Sequence, residues 1–276
     1  MTALDLEAEY NNRRRVPEHP DIQARWAKAS DAWRKEGKVD LALSYGKGER
    51  NRYDLYRAAN AGANAPVVVY IHGGYWQRGD RKDNGFLAKE LNARGISVAL
   101  PSYSLCPSVG VMDIVAELRQ ALKAIWERTK QRPVVVGHSA GGHLAAAMLA
   151  TDWSKVGGVP ADLVKAAYAI SGVFDLAPLL TTSIAEALKL DAAKAREASP
   201  LFWPAPSKER TFVAAAGGDE SQEFFRQALE ITAAWSKAGL KAECVIVPET
   251  NHFTIVEELT RPESAMLARI VAMANG

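Results

Sequence analysis

The 276-residue chain is poor in cysteine, in net charge and in long apolar runs. Its only two cysteines, Cys106 and Cys244, are too few and too far apart for the disulfide framework of a small secreted domain. No run of about 18 apolar residues is present, so we expect no membrane span. The formal net charge of +2 is too small to favour nucleic acid or an anionic membrane as a partner.

Two further signals are missing. The first 15 residues lack the apolar stretch of a secretory signal peptide and carry acidic residues early, so we expect a cytoplasmic protein with reduced thiols. The metal-hydrolase motif H-E-x-x-H is absent, and His138 and His143, five residues apart, do not share one helix face. The sequence therefore predicts neither a metal nor another cofactor.

From residue 39 onward, apolar runs of strand length alternate with helical patterns. Residues 41–45 and 53–57 are typical of an antiparallel leading pair. The other predicted strands lie at 67–71, 96–100, 133–136, 163–170, 211–216 and 242–247. Helical patterns occupy 83–93, 109–130, 221–238 and 264–274. This alternation predicts an α/β fold, with a mostly parallel sheet covered by helices on both faces, in one domain over residues 1–276.

Two segments stand outside the alternation. Residues 1–38 form a polar helical segment in which Ile22, Trp26, Ala29 and Trp33 fall on one stripe. That stripe either docks on the main domain or caps the mouth of a site. Residues 172–209 interrupt the alternation after a strand, and we interpret them as a small cap-like insertion.

The predicted strand at 133–136 leads into GHSAGG, which contains G-x-S-x-G at Gly137–Gly141. A sharp strand-to-helix turn requires small residues two before and two after its central residue, and it exposes that residue above the sheet. A serine capping a helix on a glycine-rich turn is the plain alternative. The buried strand before the motif and the alanine-rich helix after it favour Ser139 as a nucleophile.

A serine nucleophile needs a base, and the base needs an acid that orients it. In this arrangement the order along the chain is serine, acid, histidine, each after a strand. His252 follows the last predicted strand and is the candidate base. Asp219, after the strand at 211–216, is the favoured acid, with its neighbour Glu220 and the earlier Asp175 as alternatives.

The strand at 67–71 ends in HGGYWQRG. The two glycines make a tight turn, or they let backbone N–H groups approach a ligand oxygen. With a nucleophile elbow present, the second interpretation is favoured, because an oxyanion hole combines the N–H after the nucleophile with N–H groups from an earlier loop. Gly73, Gly74 and Ala140 are then the predicted donors, and Tyr75 and Trp76 wall the pocket beside them.

These motifs together resemble the α/β-hydrolase fold, in its hormone-sensitive-lipase-like esterase branch, and most closely the serine-dependent kynurenine formamidases (arylformamidases). Similar stretches are HGGYWQ at 72–77, the Lys-Asp pair at 82–83, GDESQEF at 218–224 and NHFTIVE at 251–257. The helical N-terminal segment also looks like that of this family. The chain departs from the branch at Tyr75, where a third glycine is common.

The resemblance implies hydrolysis of N-formyl-L-kynurenine, or a similar N-formyl or acyl arylamine, through a formyl-serine in tryptophan catabolism. It implies a small aromatic amide or ester as the partner, and a homodimer is a further expectation because many proteins of this fold dimerise. The substrate-binding candidates are Tyr75, Trp76, Tyr103, His138 and Phe253, although ordinary packing also explains Trp76, Tyr103 and Phe253. A carboxylesterase for short acyl esters uses the same triad, and a non-catalytic binding protein on this fold is the alternative of another class.

Overall fold

Within the part of the chain that the structure describes, eight β-strands form one sheet at the positions where the apolar runs predict them. The computed structural model describes residues 4–58, 62 and 64–276, so the first three residues of the predicted N-terminal helical segment lie outside the described residues. The strands are β1 (Val39–Ser44), β2 (Arg52–Tyr56), β3 (Val67–Ile71), β4 (Ser97–Pro101), β5 (Val134–His138), β6 (Ala166–Ile170), β7 (Thr211–Gly217) and β8 (Lys241–Val247).

The strand order is β1-β2-β4-β3-β5-β6-β7-β8. β1 pairs antiparallel with β2, and β2 pairs antiparallel with β4, which confirms the predicted leading pair. All other neighbours are parallel. The carboxyl ends of β3, β5, β7 and β8 therefore lie on the same side of the domain, at the end of the sheet where α/β proteins bind their ligands.

Ten α-helices accompany the strands in the part of the chain that the structure describes. They are α1 (Leu6–Tyr10), α2 (Asn12–Arg15), α3 (His19–Glu36), α4 (Ala88–Ala93), α5 (Val111–Thr129), α6 (Ala140–Ala150), α7 (Ile184–Leu188), α8 (Ala192–Glu197), α9 (Gln222–Lys237) and α10 (Ala265–Asn275). The helix predicted at 83–93 differs in its first half, which is a 3₁₀ turn, Arg81–Leu87, capped by the side chain of Asp80. No helix among the described residues has both the length and the apolar character that a membrane crossing requires.

Both faces of the central strands β3, β4, β5 and β6 are buried, as the continuous apolar runs predict. In β3, Val69 and Ile71 belong to one hydrophobic cluster, together with Leu118 of α5. Val68 of the same strand belongs to a second cluster, together with Leu267 of α10. This side-to-side alternation within a fully buried strand is typical of a parallel sheet between two helical layers.

The stripe on α3 docks on the domain, with one shift. Ile22 and Trp26 are buried in the second cluster, and Trp33 packs against its edge. Ala29 is exposed, whereas Ser30 is fully buried and its hydroxyl accepts a hydrogen bond of 3.2 Å from the backbone N–H of Phe86. Ser30 continues the i, i+4 spacing of Ile22 and Trp26, so helical geometry selects it over its apolar neighbour.

Candidate active site

The turn between β5 and α6 carries Ser139. Its backbone has φ 56° and ψ −120°, which residues other than glycine rarely adopt. A Cβ on Gly137 would collide with the carbonyl oxygen of Gly141, and a Cβ on Gly141 would collide with that of Ile71. Packing therefore requires both glycines of G-x-S-x-G, and Ser139 has the strand–turn–helix setting that a nucleophile elbow needs.

His252 lies in the turn after β8 and lines the same cavity as Ser139. Nε2 of His138 donates a hydrogen bond of 2.7 Å to the backbone carbonyl of His252. This bond ties the loop of the candidate base to the strand that ends at the nucleophile. Burial, and then the adjacent His252, holds the pKa of His138 well below its usual range, so His138 is neutral with its proton on Nε2.

The carboxylate beside His252 belongs to Glu220, which corrects the prediction of Asp219. Oε2 of Glu220 lies 3.3 Å from Nδ1 of His252. Its Oε1 accepts hydrogen bonds from the hydroxyl of Ser171 and, at 3.1 Å, from the N–H of Gly217. Asp219 is exposed to solvent. The orienting acid that the geometry supports is therefore the buried glutamate.

The shape of the turn after β7 explains why the adjacent residue takes this position. The N–H of Glu220 donates to the carbonyl of Gly217 at 3.0 Å, so the chain folds back on itself over four residues. Asp219 lies at the tip of this turn, and Glu220 returns over the strand end with its side chain completely buried. Asp175, the earlier alternative, accepts a bond from a backbone N–H two residues ahead and does not contact the base.

The loop after β3 brings Gly73 against the nucleophile. A Cβ added to Gly73 would lie 2.8 Å from the carbonyl oxygen of His138 and 3.0 Å from Cβ of Ser139. Gly74 has φ 113°, which a side chain would strain, and both glycines line the cavity. Ala140 is the first residue of α6, so its N–H has no acceptor within the helix. The predicted close approach is present, and these N–H groups stay the predicted oxyanion donors.

Trp76 and Tyr103 lie behind the cavity wall, which corrects the prediction that they contact a substrate. The ring of Tyr103 stacks on His72 at 4.3 Å between centroids, and its hydroxyl donates to the His72 carbonyl at 2.9 Å. Trp76 is fully buried and packs edge-on against His143 at 5.0 Å. Burial lowers the pKa of His72 to about 4, so its ring is neutral. Trp76 and Tyr103 therefore pack behind the glycine loop, on the side away from the cavity.

The other predicted substrate-binding residues lie in the wall of a cavity of about 670 Å³, shared with Ser139 and His252. They are Tyr75, His138 and Phe253. Pockets for small molecules typically measure roughly 300–1,000 Å³. Much of the wall comes from the N-terminal segment, including Tyr10, Asn11, Asn12, Arg13, Gln23 and Trp26.

Comparisons with known proteins agree with this geometry. The family model described as BD-FAE matches residues 53–216. The chain is 34% identical over 243 residues to a kynurenine formamidase of Danio rerio, covering 86% of this chain and 82% of that protein. It is 35% identical over 227 residues to a kynurenine formamidase of Salmo salar, covering 79% and 76%. The chain belongs to the kynurenine formamidase family. It is a hydrolase of the α/β-hydrolase fold.

A solved structure supports the fold over the whole chain. A Silicibacter sp. TM1040 protein, described as a candidate thioesterase, is 33% identical to this kynurenine formamidase-family chain and superposes with a TM-score of 0.88. The superposition covers 99% of this chain and 100% of that one. The N-terminal helices are therefore within the shared architecture.

In this kynurenine formamidase-family hydrolase, the N-terminal segment is bonded directly to the glycine loop. The hydroxyl of Tyr75 donates to the carbonyl of Tyr10 at 2.6 Å, and Nδ2 of Asn12 donates to that hydroxyl at 3.2 Å. The hydroxyl of Tyr10 donates to Glu223 at 2.7 Å and accepts from Gln227 at 2.8 Å. The segment thus docks on the domain and also walls the cavity, so the two interpretations of its apolar stripe are compatible.

The predicted cap-like insertion contributes less to the cavity than the N-terminal segment does. Of residues 172–209, Ser183 and Ile184 line the cavity, and Ser183 is held by Glu7 through its N–H at 2.8 Å and its hydroxyl at 2.9 Å. Arg13 also lines the cavity, although the Arg13-Arg14-Arg15 run is typical of a solvated helix face. No sequence periodicity marks it, because α2 is about one turn long.

Proposed function

We propose that the protein hydrolyses the formamide of N-formyl-L-kynurenine, or of a similar N-formyl arylamine, to the arylamine and formate. The observation that carries the proposal is that Ser139, His252 and Gly73 share one cavity in a chain of the kynurenine formamidase family. The buried Glu220 beside His252 supplies the third member that this chemistry needs.

In the first half of the reaction, Oγ of Ser139 attacks the formyl carbon while Nε2 of His252 takes the hydroxyl proton. The carbonyl oxygen becomes an oxyanion that the N–H groups of Gly73, Gly74 and Ala140 stabilise, each by about 3 kcal/mol. The C–N bond then breaks, and His252 returns the proton to the departing aryl nitrogen. The enzyme is left as a formyl ester of Ser139.

In the second half, water attacks the formyl ester and gives its proton to His252. The tetrahedral intermediate collapses, formate leaves, and the proton returns to Oγ of Ser139. Glu220 accepts the Nδ1–H of His252, which keeps Nε2 free to take protons and stabilises the imidazolium in both halves.

The lining of the cavity suits an aryl leaving group, and a formyl group is the smallest acyl group and needs little room beside Ser139. Tyr75, Trp26 and Phe253 give the rest of the wall an aromatic lining that suits an aryl ring. An aryl nitrogen also leaves more readily than an alkyl one, because the ring delocalises its lone pair.

The test is kcat/KM for N-formyl-L-kynurenine beside p-nitrophenyl acetate, with Ser139→Ala as the matched inactive control. We expect the formamide to be preferred and both activities to disappear in the variant. Good ester turnover with a poor formamide rate would leave the triad standing and favour the carboxylesterase alternative. Retention of formamide turnover in Ser139→Ala would refute the acyl-serine mechanism.

We further propose that the substrate is a free small molecule met in the cytoplasm, where both thiols stay reduced. Cys106 is buried and Cys244 is half-buried, and neither forms a disulfide. We also propose that the protein forms a homodimer. Sedimentation equilibrium of the purified protein tests the homodimer, and a single species of about 30 kDa would refute it.

A further inference from the structure

Two exposed arginines lie in the wall of the cavity that holds Ser139. Arg13 comes from α2 and Arg78 from the loop after β3, and both line the cavity wall. Their charges are close enough to interact: burial lowers the pKa of Arg13, and the positive charge of Arg78 lowers it further. Two elements that are distant in sequence therefore bring like charges to one cavity.

Neither guanidinium has a hydrogen bond or an ion pair with any residue that the structure describes. Other arginines nearby are paired, since Arg50 lies 3.2 Å from Asp80 and Arg81 lies 2.9 Å from Asp54. A pair of like charges that faces a cavity without a counterion is unfavourable, and an anion placed between them removes the repulsion.

The acidic residues in the cavity wall do not supply that counterion. The carboxylate of Glu7 already accepts bonds from Ser183 and Asn11. Asp83 lines the cavity as well. The charged groups that shift its pKa are Asp80, Arg34, Asp31 and Lys82, and neither Arg13 nor Arg78 is among them. No carboxylate of the cavity wall is therefore bonded to the arginine pair, and an anionic group of a bound substrate can take that place.

We propose that Arg13 and Arg78 together bind a carboxylate of the substrate, at a distance from the bond that Ser139 attacks. This inference rests on the proposed hydrolysis of an N-formyl arylamine and adds that the preferred substrate carries an amino-acid or other carboxylate group. Guanidinium groups suit the task because their planar N–H pairs match the two oxygens of a carboxylate. Arg13 and Arg78 are then specificity residues that select an anionic substrate over a neutral one.

The experiment compares two formamides that differ in the head group. N-formyl-L-kynurenine carries the carboxylate, and 2-formamidoacetophenone has the same formamide and aryl ketone without it. The variants are Arg13→Gln, Arg78→Gln and the double variant. Arg14→Gln, an exposed arginine of the same short helix that does not line the cavity, is the matched control.

We expect wild type to prefer the carboxylate substrate, and each single variant to lower the ratio of the two kcat/KM values by about tenfold to a hundredfold. Most of the loss should fall on KM for the anionic substrate. Arg14→Gln should leave the ratio within twofold. An unchanged ratio in the double variant would overturn the proposal. An equal fall of the ratio in Arg14→Gln would also overturn it, because that result would indicate that any positive charge near the cavity has the same effect.

A binding measurement separates this inference from the proposed function. If wild type cleaves neither formamide, the proposed reaction fails, and the arginine pair is then judged by calorimetric Kd values for L-kynurenine and for 2-aminoacetophenone, which lacks the carboxylate. Tighter binding of L-kynurenine that is lost in the double variant supports the carboxylate site. Equal affinities for the two compounds, or no binding of either, would overturn it.

Discussion

Glu220→Gln should lower kcat about a thousandfold, whereas Asp219→Asn should change it less than twofold. The Glu220 carboxylate accepts hydrogen bonds from Ser171, from the N–H of Gly217 at 3.1 Å and from His252 at 3.3 Å. Asp219, one residue earlier, is exposed. The two substitutions remove the same charge one residue apart, so each is the control for the other.

The size of the effect follows from the donors around the glutamate. A glutamine has one acceptor oxygen, and that oxygen stays with the Gly217 N–H and the Ser171 hydroxyl, which leaves the amide NH₂ facing Nδ1 of His252. The imidazole must then carry its proton on Nε2, where it cannot take a proton from Ser139. The same tautomer error costs about 10⁴ in kcat in a serine protease. We expect about a tenth of that, because the bond of 3.3 Å is long.

The assay is steady-state turnover of each purified variant, with thermal unfolding measured on the same samples. Both variants should unfold cooperatively, so that lost activity reports on the base and not on lost protein. Collapse of activity in Asp219→Asn, with activity kept in Glu220→Gln, would refute the assignment and restore the sequence-based prediction. Equal, small losses in both would mean that His252 needs no orienting acid.

Three further predictions concern the loop, the pH response and the N-terminal segment. Gly73→Ala places a methyl group 2.8 Å from a carbonyl oxygen and 3.0 Å from the nucleophile's Cβ, so kcat should fall about a hundredfold, while Gly110→Ala at the start of α5 should leave it unchanged. The unfolding free energy, measured in urea, should fall as the pH drops from about 6.5 to about 4. Burial lowers the pKa values of His72 and His143 to about 4, so over this range the unfolded chain binds protons that the folded chain does not. An unfolding free energy that does not change with pH would contradict this. Tyr10→Phe removes two buried hydrogen bonds and should cost about 1–3 kcal/mol of unfolding free energy, a loss that chemical denaturation would detect.

The strand positions and the elbow could be predicted from the sequence because their causes are local. A strand such as β3, buried on both faces, is apolar at every position, and it reads as a continuous run. The glycines at 137 and 141 are required by contacts within the elbow and with the adjacent strand end. Each of these constraints acts through neighbours in the chain or in the sheet, so a short pattern records it.

The identity of the acid could not be predicted in this way. Chain order favours the loop after β7, where Asp219 and Glu220 are adjacent, over the earlier Asp175. The choice depends on which of them the turn directs back over the sheet, and on the extra methylene that lets glutamate reach His252. Neither factor is visible in the order of strands.

The aromatic residues of the glycine loop show the same limit at longer range. Tyr75 and Trp76 are adjacent and both have positive φ, at 49° and 57°, yet Tyr75 faces the cavity and Trp76 is buried against His143. The hydroxyl of Tyr75 is bonded to Tyr10 and Asn12, 65 and 63 positions earlier in the chain. A loop conformation that depends on a partner so distant in sequence leaves no local pattern.

The bond between Tyr75 and Tyr10 also bears on how specificity is built in this chain. It connects the loop that carries the predicted oxyanion donors to the segment that carries Arg13, and Tyr10 is itself fixed to α9 through Glu223. A substrate that contacts the N-terminal segment is therefore held in a fixed relation to Gly73 and Ser139. Because positioning of this kind contributes to the rate as well as to affinity, loss of the Tyr10 contacts should raise KM and lower kcat together.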